Sequence, residues 1–224
     1  MFTVSEEWRF AFPGACAGVL AMHGVENPAH HLSLEGRKAD LEQDLRARYA
    51  GYDRPALAAL PTLQAYDAYY RRFKKTYHVS LQLESLVLKG RPLPGGAALV
   101  EAMFMAELNN LLLTAGHDLA ALELPVRVEV AASGERYVVL RGQEQELKPG
   151  DMYMADGQGI ISSVLYGPDQ RTQITPHTRR VMFAVYAPAG IEAQAVRRHL
   201  EEIQANVRLI VPQAETELLQ VFTA

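Results

Sequence analysis

A chain of 224 residues, 49% apolar and 21% charged, can bury one sizeable core and is excluded from the disordered and collagen-like classes. Its 22 lysines and arginines against 26 aspartates and glutamates leave a net charge of −4, so contact with nucleic acid must come from a local patch rather than bulk attraction. The single cysteine, Cys16, excludes an intramolecular disulfide framework and a cysteine-built zinc site, and fits a reducing compartment.

The opening residues, Met1-Phe2-Thr3-Val4-Ser5-Glu6-Glu7, carry two acids where a secretory signal would carry a basic end. Residues 99–113, the most apolar long run, are broken by Glu101, Glu107, Asn109 and Asn110, too polar and short to cross a bilayer. A cytoplasmic protein without membrane association is expected. Residues 15–22 are apolar on both parities between Pro13-Gly14 and His23-Gly24, which predicts a strand buried on both faces. Ser33 is the expected N-cap of a helix over 34–49, with Gly51 just beyond its end. A second helix is predicted over 62–75, a third over 81–88 between Ser80 as cap and Gly90 as stop, and a fourth over 97–113.

The second half changes period. Residues 126–130 alternate, 137–140 do so more loosely, and Ser133-Gly134 between them predicts a hairpin. Residues 152–154 and 160–165 flank Asp156-Gly157, a second predicted hairpin. A strand over 181–186, a helix over 192–205 and short apolar segments at 207–211 and 218–222 complete the chain. Helices early and hairpins late predict one α+β domain over residues 1–224, with helices packed on a mixed, mostly antiparallel sheet.

Four cations, Arg71, Arg72, Lys74 and Lys75, sit among Tyr69, Tyr70, Phe73 and Tyr77. On one reading they form an RNA patch, with phosphates on the cations and bases stacked on the rings. On the other, Tyr66, Tyr70, Phe73 and Tyr77 at spacings of 4, 3 and 4 are a core stripe and the cations a solvated face. Ala115-Gly116-His117-Asp118, read as a turn closing the fourth helix, also has two readings: His117 as a base, or His117 and Asp118 as caps of adjoining helical ends. Neither a metal nor a cofactor is expected. His30-His31 diverge on a helix, no histidine pair has ligand spacing, Ser162-Ser163 lacks the GxSxG elbow, and Gly95-Gly96 lacks a phosphate-loop pattern.

Several segments, in order, resemble the B3/B4 domain, the editing module of the bacterial phenylalanyl-tRNA synthetase beta subunit, which also exists as freestanding proteins. Leu99-Val100-Glu101 followed by Asp118-Leu119-Ala120-Ala121-Leu122 resembles the module's VVD…HAFDLDKL, with Glu101 and Asp118 seventeen apart. Gly134-Glu135 and then Leu140-Arg141-Gly142-Gln143-Glu144 resemble GE…LDGxE; Met154-Ala155-Asp156 resembles IAD; Thr172-Gln173-Ile174-Thr175-Pro176-His177-Thr178 resembles SxVTxxT. The resemblance runs over residues 71–199 and implies a pocket for the aminoacyl end of a tRNA. In the synthetase, that module hydrolyses tyrosine wrongly joined to the phenylalanine tRNA. The same register puts Ala115 where the family's editing histidine stands, Met103 at its pocket threonine and Ala184 at its pocket glutamate.

The expected function is therefore a trans-editing factor that hydrolyses a mischarged aminoacyl-tRNA ester. His117 is the expected catalytic residue, Asn110, Ser162, Ser163, Tyr166 and Gly167 the expected pocket, and Arg71, Arg72, Lys74 and Lys75 the expected RNA contacts. The partner is a tRNA 3′ end or a small amino acid, and neither DNA nor a membrane. The alternative is a non-catalytic module that binds tRNA or an amino acid, and an unrelated enzyme on the same fold also stands.

Overall fold

The computed structural model describes residues 2–224. A short strand, Phe2–Val4 (β1), leads into Glu6–Ala11 (α1), which Ser5 caps by accepting the Trp8 N–H on its Oγ at 3.1 Å. Cys16–His23 (β2) follows, then the helices Leu32–Arg48 (α2), Arg54–Ala58 (α3), Pro61–Arg71 (α4), His78–Val87 (α5) and Ala98–Asn110 (α6). Thr114–Asp118 (β3) runs into a 3₁₀ turn, Leu119–Ala121. The strands Val126–Val130 (β4), Arg136–Val138 (β5), Glu144–Glu146 (β6), Met152–Ala155 (β7), Ile160–Ser163 (β8), Gly167–Pro168 (β9) and Arg180–Ala187 (β10) come next. Ala193–Ile210 (α7) and Glu215–Thr223 (β11) end the chain.

The strands form an antiparallel sheet in the order β11-β2-β10-β3, a second in the order β1-β4-β7-β8-β9, and the ribbon β5-β6. Among the described residues only β1 and β4 pair in parallel, so this is the expected α+β arrangement of helices on mixed, mostly antiparallel strands. Helix α7 lies across β2 and β11 and against α6. Gly18 permits that approach, since a Cβ there would stand 2.5 Å from Val196 Cγ1. As expected for a strand covered on both faces, β2 is buried from Cys16 to Met22.

The aromatic stripe packs as the spacing predicts. Tyr66, Tyr70, Phe73 and Tyr77 are all buried, and the Tyr66 and Tyr77 rings stack with centroids 4.2 Å apart. The cations beside them differ from expectation. Helix α4 stops at Arg71 and Lys74 takes a left-handed φ of 56°, so the four cations do not share a helix face.

Other boundaries move for local reasons. Helix α2 starts before Ser33, at a His31 cap, and α5 starts before Ser80, whose hydroxyl donates to the Tyr77 carbonyl at 2.6 Å. Leu111, left-handed at φ 60°, ends α6 three residues early. The chain then turns into β3, so residues 115–118 form a strand rather than a turn. The hairpin expected about Ser133-Gly134 does not form. Strand β4 pairs with β7 instead, because Val126 and Val128 share a buried face with Met152 and Met154, while β5 turns back on β6 through Gly142. The hairpin at Asp156-Gly157 does form, joining β7 to β8. Helix α7 absorbs the apolar residues 207–210, and residues 218–222 fall in β11. Among the described residues no helix is long and apolar enough to cross a membrane.

Candidate functional site

A cleft of about 330 Å³ lies between α6, β3 and the β8–β9 turn. Met103 and Glu107 reach it together because they lie one helical turn apart on α6. Ala115 and Gly116 enter from β3, Ser163 and Gly167 from the β8–β9 turn, and Tyr186 from β10. Gly116 keeps the wall thin: a Cβ there would meet Ile174 Cδ1 at 2.8 Å and Met103 Sδ at 3.3 Å. Apolar side chains dominate the lining, and His78, Glu107, Thr114, Ser163 and Tyr186 are among its few polar ones.

Glu107 is the most unusual of these. It is 1% exposed, and its Oε2 accepts the Thr114 N–H at 2.9 Å. Its Oε1 has no hydrogen-bond partner and lies 3.9 Å from Nε2 of the half-exposed His78 side chain. Burial pushes the Glu107 carboxyl up to about 8 and holds the His78 imidazole below its usual range. Behind the wall, the Thr114 hydroxyl meets His199 Nε2 at 2.7 Å, and Asn110 Nδ2 lies 3.2 Å from His199 Nδ1 and donates to Glu202 at 2.7 Å.

The expected site residues divide. Ser163 and Gly167 line the cleft, together with Met103 and Ala115 from the family register. Asn110 stands behind the wall in the His199 network. Ser162 is wholly buried, with its hydroxyl on that of Tyr186. Tyr166 gives its N–H to Ser163 Oγ at 3.1 Å and lies under Lys75 Nζ, 4.4 Å from its ring centroid. Ala184 is buried in β10, paired with Ala115.

His117 is the main correction, because the structure takes it out of the cleft. It is 0% exposed, with Nδ1 at 2.7 Å from Thr172 Oγ1 and Nε2 unpartnered. Burial, and secondarily Arg171, hold its pKa down to about 3. Asp118 does act as a cap, accepting the Ala120 N–H at 3.0 Å. His78 and Glu107, which do line the cleft, were not among the expected site residues. For Glu107 the signal was an acid on an otherwise apolar helix face, one turn from Met103; His78 carried none.

Among the cations, Arg71 is exposed and pairs with Asp67 at 3.1 Å. Arg72 lies over the Phe12, Tyr69 and Phe73 rings at 5.5, 5.7 and 5.5 Å. Lys74 is exposed, and Lys75 lies over the ring of Tyr166, the residue before Gly167 of the lining. A separate hollow of about 400 Å³ lies against Val19, Ala21 and Met182, but its charged groups, Arg180 and Glu217, already pair with each other through two contacts of 3.0 and 2.8 Å. Among the described residues no three histidine, cysteine, aspartate or glutamate side chains are grouped to hold a metal.

The Glu107 carboxyl gives a testable pH dependence. Its raised pKa contributes stability that is complete below the usual glutamate range and is lost as pH rises through about 8. His117 and His199, both held near 3 by burial, act with the opposite sign: their contribution is complete above the usual histidine range and is lost as pH falls through it. Asp151, raised by burial to about 6, has lost its contribution by then. Between about pH 7 and 8, above the usual histidine range, Glu107 therefore governs, and stability is expected to fall by on the order of 1 kcal/mol. Melting curves across that window check this: Glu107→Gln flattens the fall, whereas a level wild-type curve contradicts the ionisation of Glu107 there.

A family model, the B3/4 domain, matches residues 64–208. Over 97 residues the chain is 35% identical to the phenylalanine–tRNA ligase beta subunit of Oleidesulfovibrio alaskensis, a match that covers 40% of this chain and 12% of that protein. Its fold is similar to the crystal structure of an N-terminal fragment of the phenylalanyl-tRNA synthetase beta subunit from Pyrococcus horikoshii, with a TM-score of 0.51 at 10% identity. That match covers all of this chain and 54% of the fragment.

Proposed function

Because the chain belongs to the B3/4 domain family, we propose that its cleft receives the aminoacyl end of a tRNA and hydrolyses the ester of a mischarged one. The observation that carries this reading is convergence. Met103, Ala115, Ser163 and Gly167, all within the span that resembles the editing module, meet on one small, mostly apolar cleft with a few polar groups. A pocket of this kind clears an amino acid that an apolar synthetic site admits by mistake, because one added hydroxyl or one missing methylene is hard to reject by binding alone.

In this reading His78, neutral at pH 7 and set at the mouth, takes the proton of an attacking water, while Ser163 orients the ester. Lys75 with Tyr166 contacts the terminal nucleotides beside the cleft, the cation on phosphate and the ring against a base. Release of amino acid from a panel of mischarged tRNAs tests the proposal, and no release above background for any of them rejects it.

The Lys75 contact has its own test. Lys75→Ala is expected to weaken tRNA binding and to make the slope of log K against log salt shallower by about 0.7, the value for one single-strand phosphate contact. An unchanged slope in filter-binding titrations removes Lys75 from the interface. A non-catalytic module is favoured by one observation, that Met103, Ala115 and Ala184 occupy the positions of the family's threonine, histidine and glutamate. It gives binding without turnover in the same two assays.

A further inference from the structure

We propose that Glu107 is the counter-ion for an α-ammonium group, so that the cleft takes an amino acid as its ester or amide rather than as the free zwitterion. The inference rests on the aminoacyl reading of the cleft and specifies its substrate class.

Glu107 is wholly buried in the wall, with one carboxylate oxygen held by the Thr114 N–H and the other unpartnered. A buried polar atom without a partner is costly, and a ligand that brings a donor relieves that cost. Among the described residues, Glu107 and His78 are the only carboxyl and imidazole on the wall, and no lysine or arginine joins them. A phosphate or a free carboxylate would therefore find no cation there to pair with. An α-ammonium offers three donors and the matching charge. It also lets Glu107 ionise in a place where burial alone keeps it protonated.

The groups packed around Glu107 agree with this assignment. His78 faces it from α5 and is held neutral by burial, so it does not compete as a cation. Thr114 faces it from β3 as a donor, and the nearby Tyr66 and Tyr77 phenols are kept neutral by burial. Beyond the carboxylate, Val100, Met103, Phe104, Leu113 and Ile174 offer only apolar surface, which suits an uncharged side chain. An ester carbonyl costs little to bring into such a place, and a free carboxylate costs far more.

The test uses the full chain and three probe series: the amides of valine, leucine and phenylalanine, their N-acetyl amides, and the free amino acids, titrated by calorimetry. At least one amide is expected to bind about tenfold or more tightly than both its N-acetyl amide and its free acid, the scale of one hydrogen bond to a charged group. Glu107→Gln is expected to bring the amide down to the affinity of the N-acetyl amide. Equal binding of amide and N-acetyl amide to the wild type overturns the Glu107 assignment and leaves the cleft reading intact. Equal binding of amide and free acid overturns the ester selectivity. No binding by any member overturns the aminoacyl reading and this inference with it. The wild-type comparison needs no variant, so a Glu107→Gln protein that fails to fold does not remove the test.

Discussion

His78→Ala is expected to slow amino acid release from a mischarged tRNA by about 10²–10⁴-fold, the usual scale for losing a general base. His78 opens helix α5 directly after Tyr77, which is anchored in the core, so its imidazole is held at the cleft mouth while half its surface stays in solvent. Burial on the inner side keeps the ring neutral at pH 7, and a neutral ring can accept a proton. Because the side chain is half exposed, its loss leaves the core packing untouched, and melting of His78→Ala is expected to match the wild type. A rate that falls with an unchanged melting temperature is the signature of a chemical role. Full activity in His78→Ala would remove the imidazole from the mechanism.

Tyr66→Phe is expected to destabilise the chain by about 1–3 kcal/mol for each of two buried backbone groups that it leaves unpaired. The Tyr66 hydroxyl accepts the Leu113 N–H at 2.9 Å and donates to the Tyr186 carbonyl at 2.5 Å. Both Leu113 and Tyr186 line the cleft, so a single hydroxyl ties two of its walls together. The ring itself stays, stacked on Tyr77, and the loss is of hydrogen bonds rather than of packed volume. Denaturant unfolding measures the cost. A change within about 0.5 kcal/mol, the range of ordinary surface substitutions, would mean that neither bond contributes as the geometry implies.

The aromatic stripe was legible because helical spacing and burial agree: residues at 66, 70, 73 and 77 point inward whichever elements they meet. The β7–β8 hairpin was legible for a similar local reason, since Asp156 accepts the Gln158 and Gly159 N–H groups within the turn itself. The pairing of β4 was not, because a strand with one apolar face fits any partner with a matching face. Met152-Tyr153-Met154 matched it better than the nearer residues 137–140. Nothing local marks Leu111 as left-handed, and that one residue moved Ala115-Gly116-His117-Asp118 from a turn to a strand. The expected site inherited that error. A histidine at a turn would face a cleft, whereas His117 in β3 faces Thr172. Glu107 carried the opposite signal, an acid where the periodicity asked for an apolar residue, and such a conflict between pattern and residue type is where a functional position is to be sought.

The central claim is that the cleft between α6, β3 and the β8–β9 turn holds an aminoacyl group. The most direct measurement follows methyl signals of the labelled protein while a non-hydrolysable 3′-aminoacylamino-adenosine is added. The expected result is movement of the Met103, Ala115 and Ile174 methyl signals, which line the cleft, with Met182 and Ala21 in the separate hollow unmoved. Movement confined to Met182 and Ala21, with the Met103 and Ala115 signals still, would contradict it.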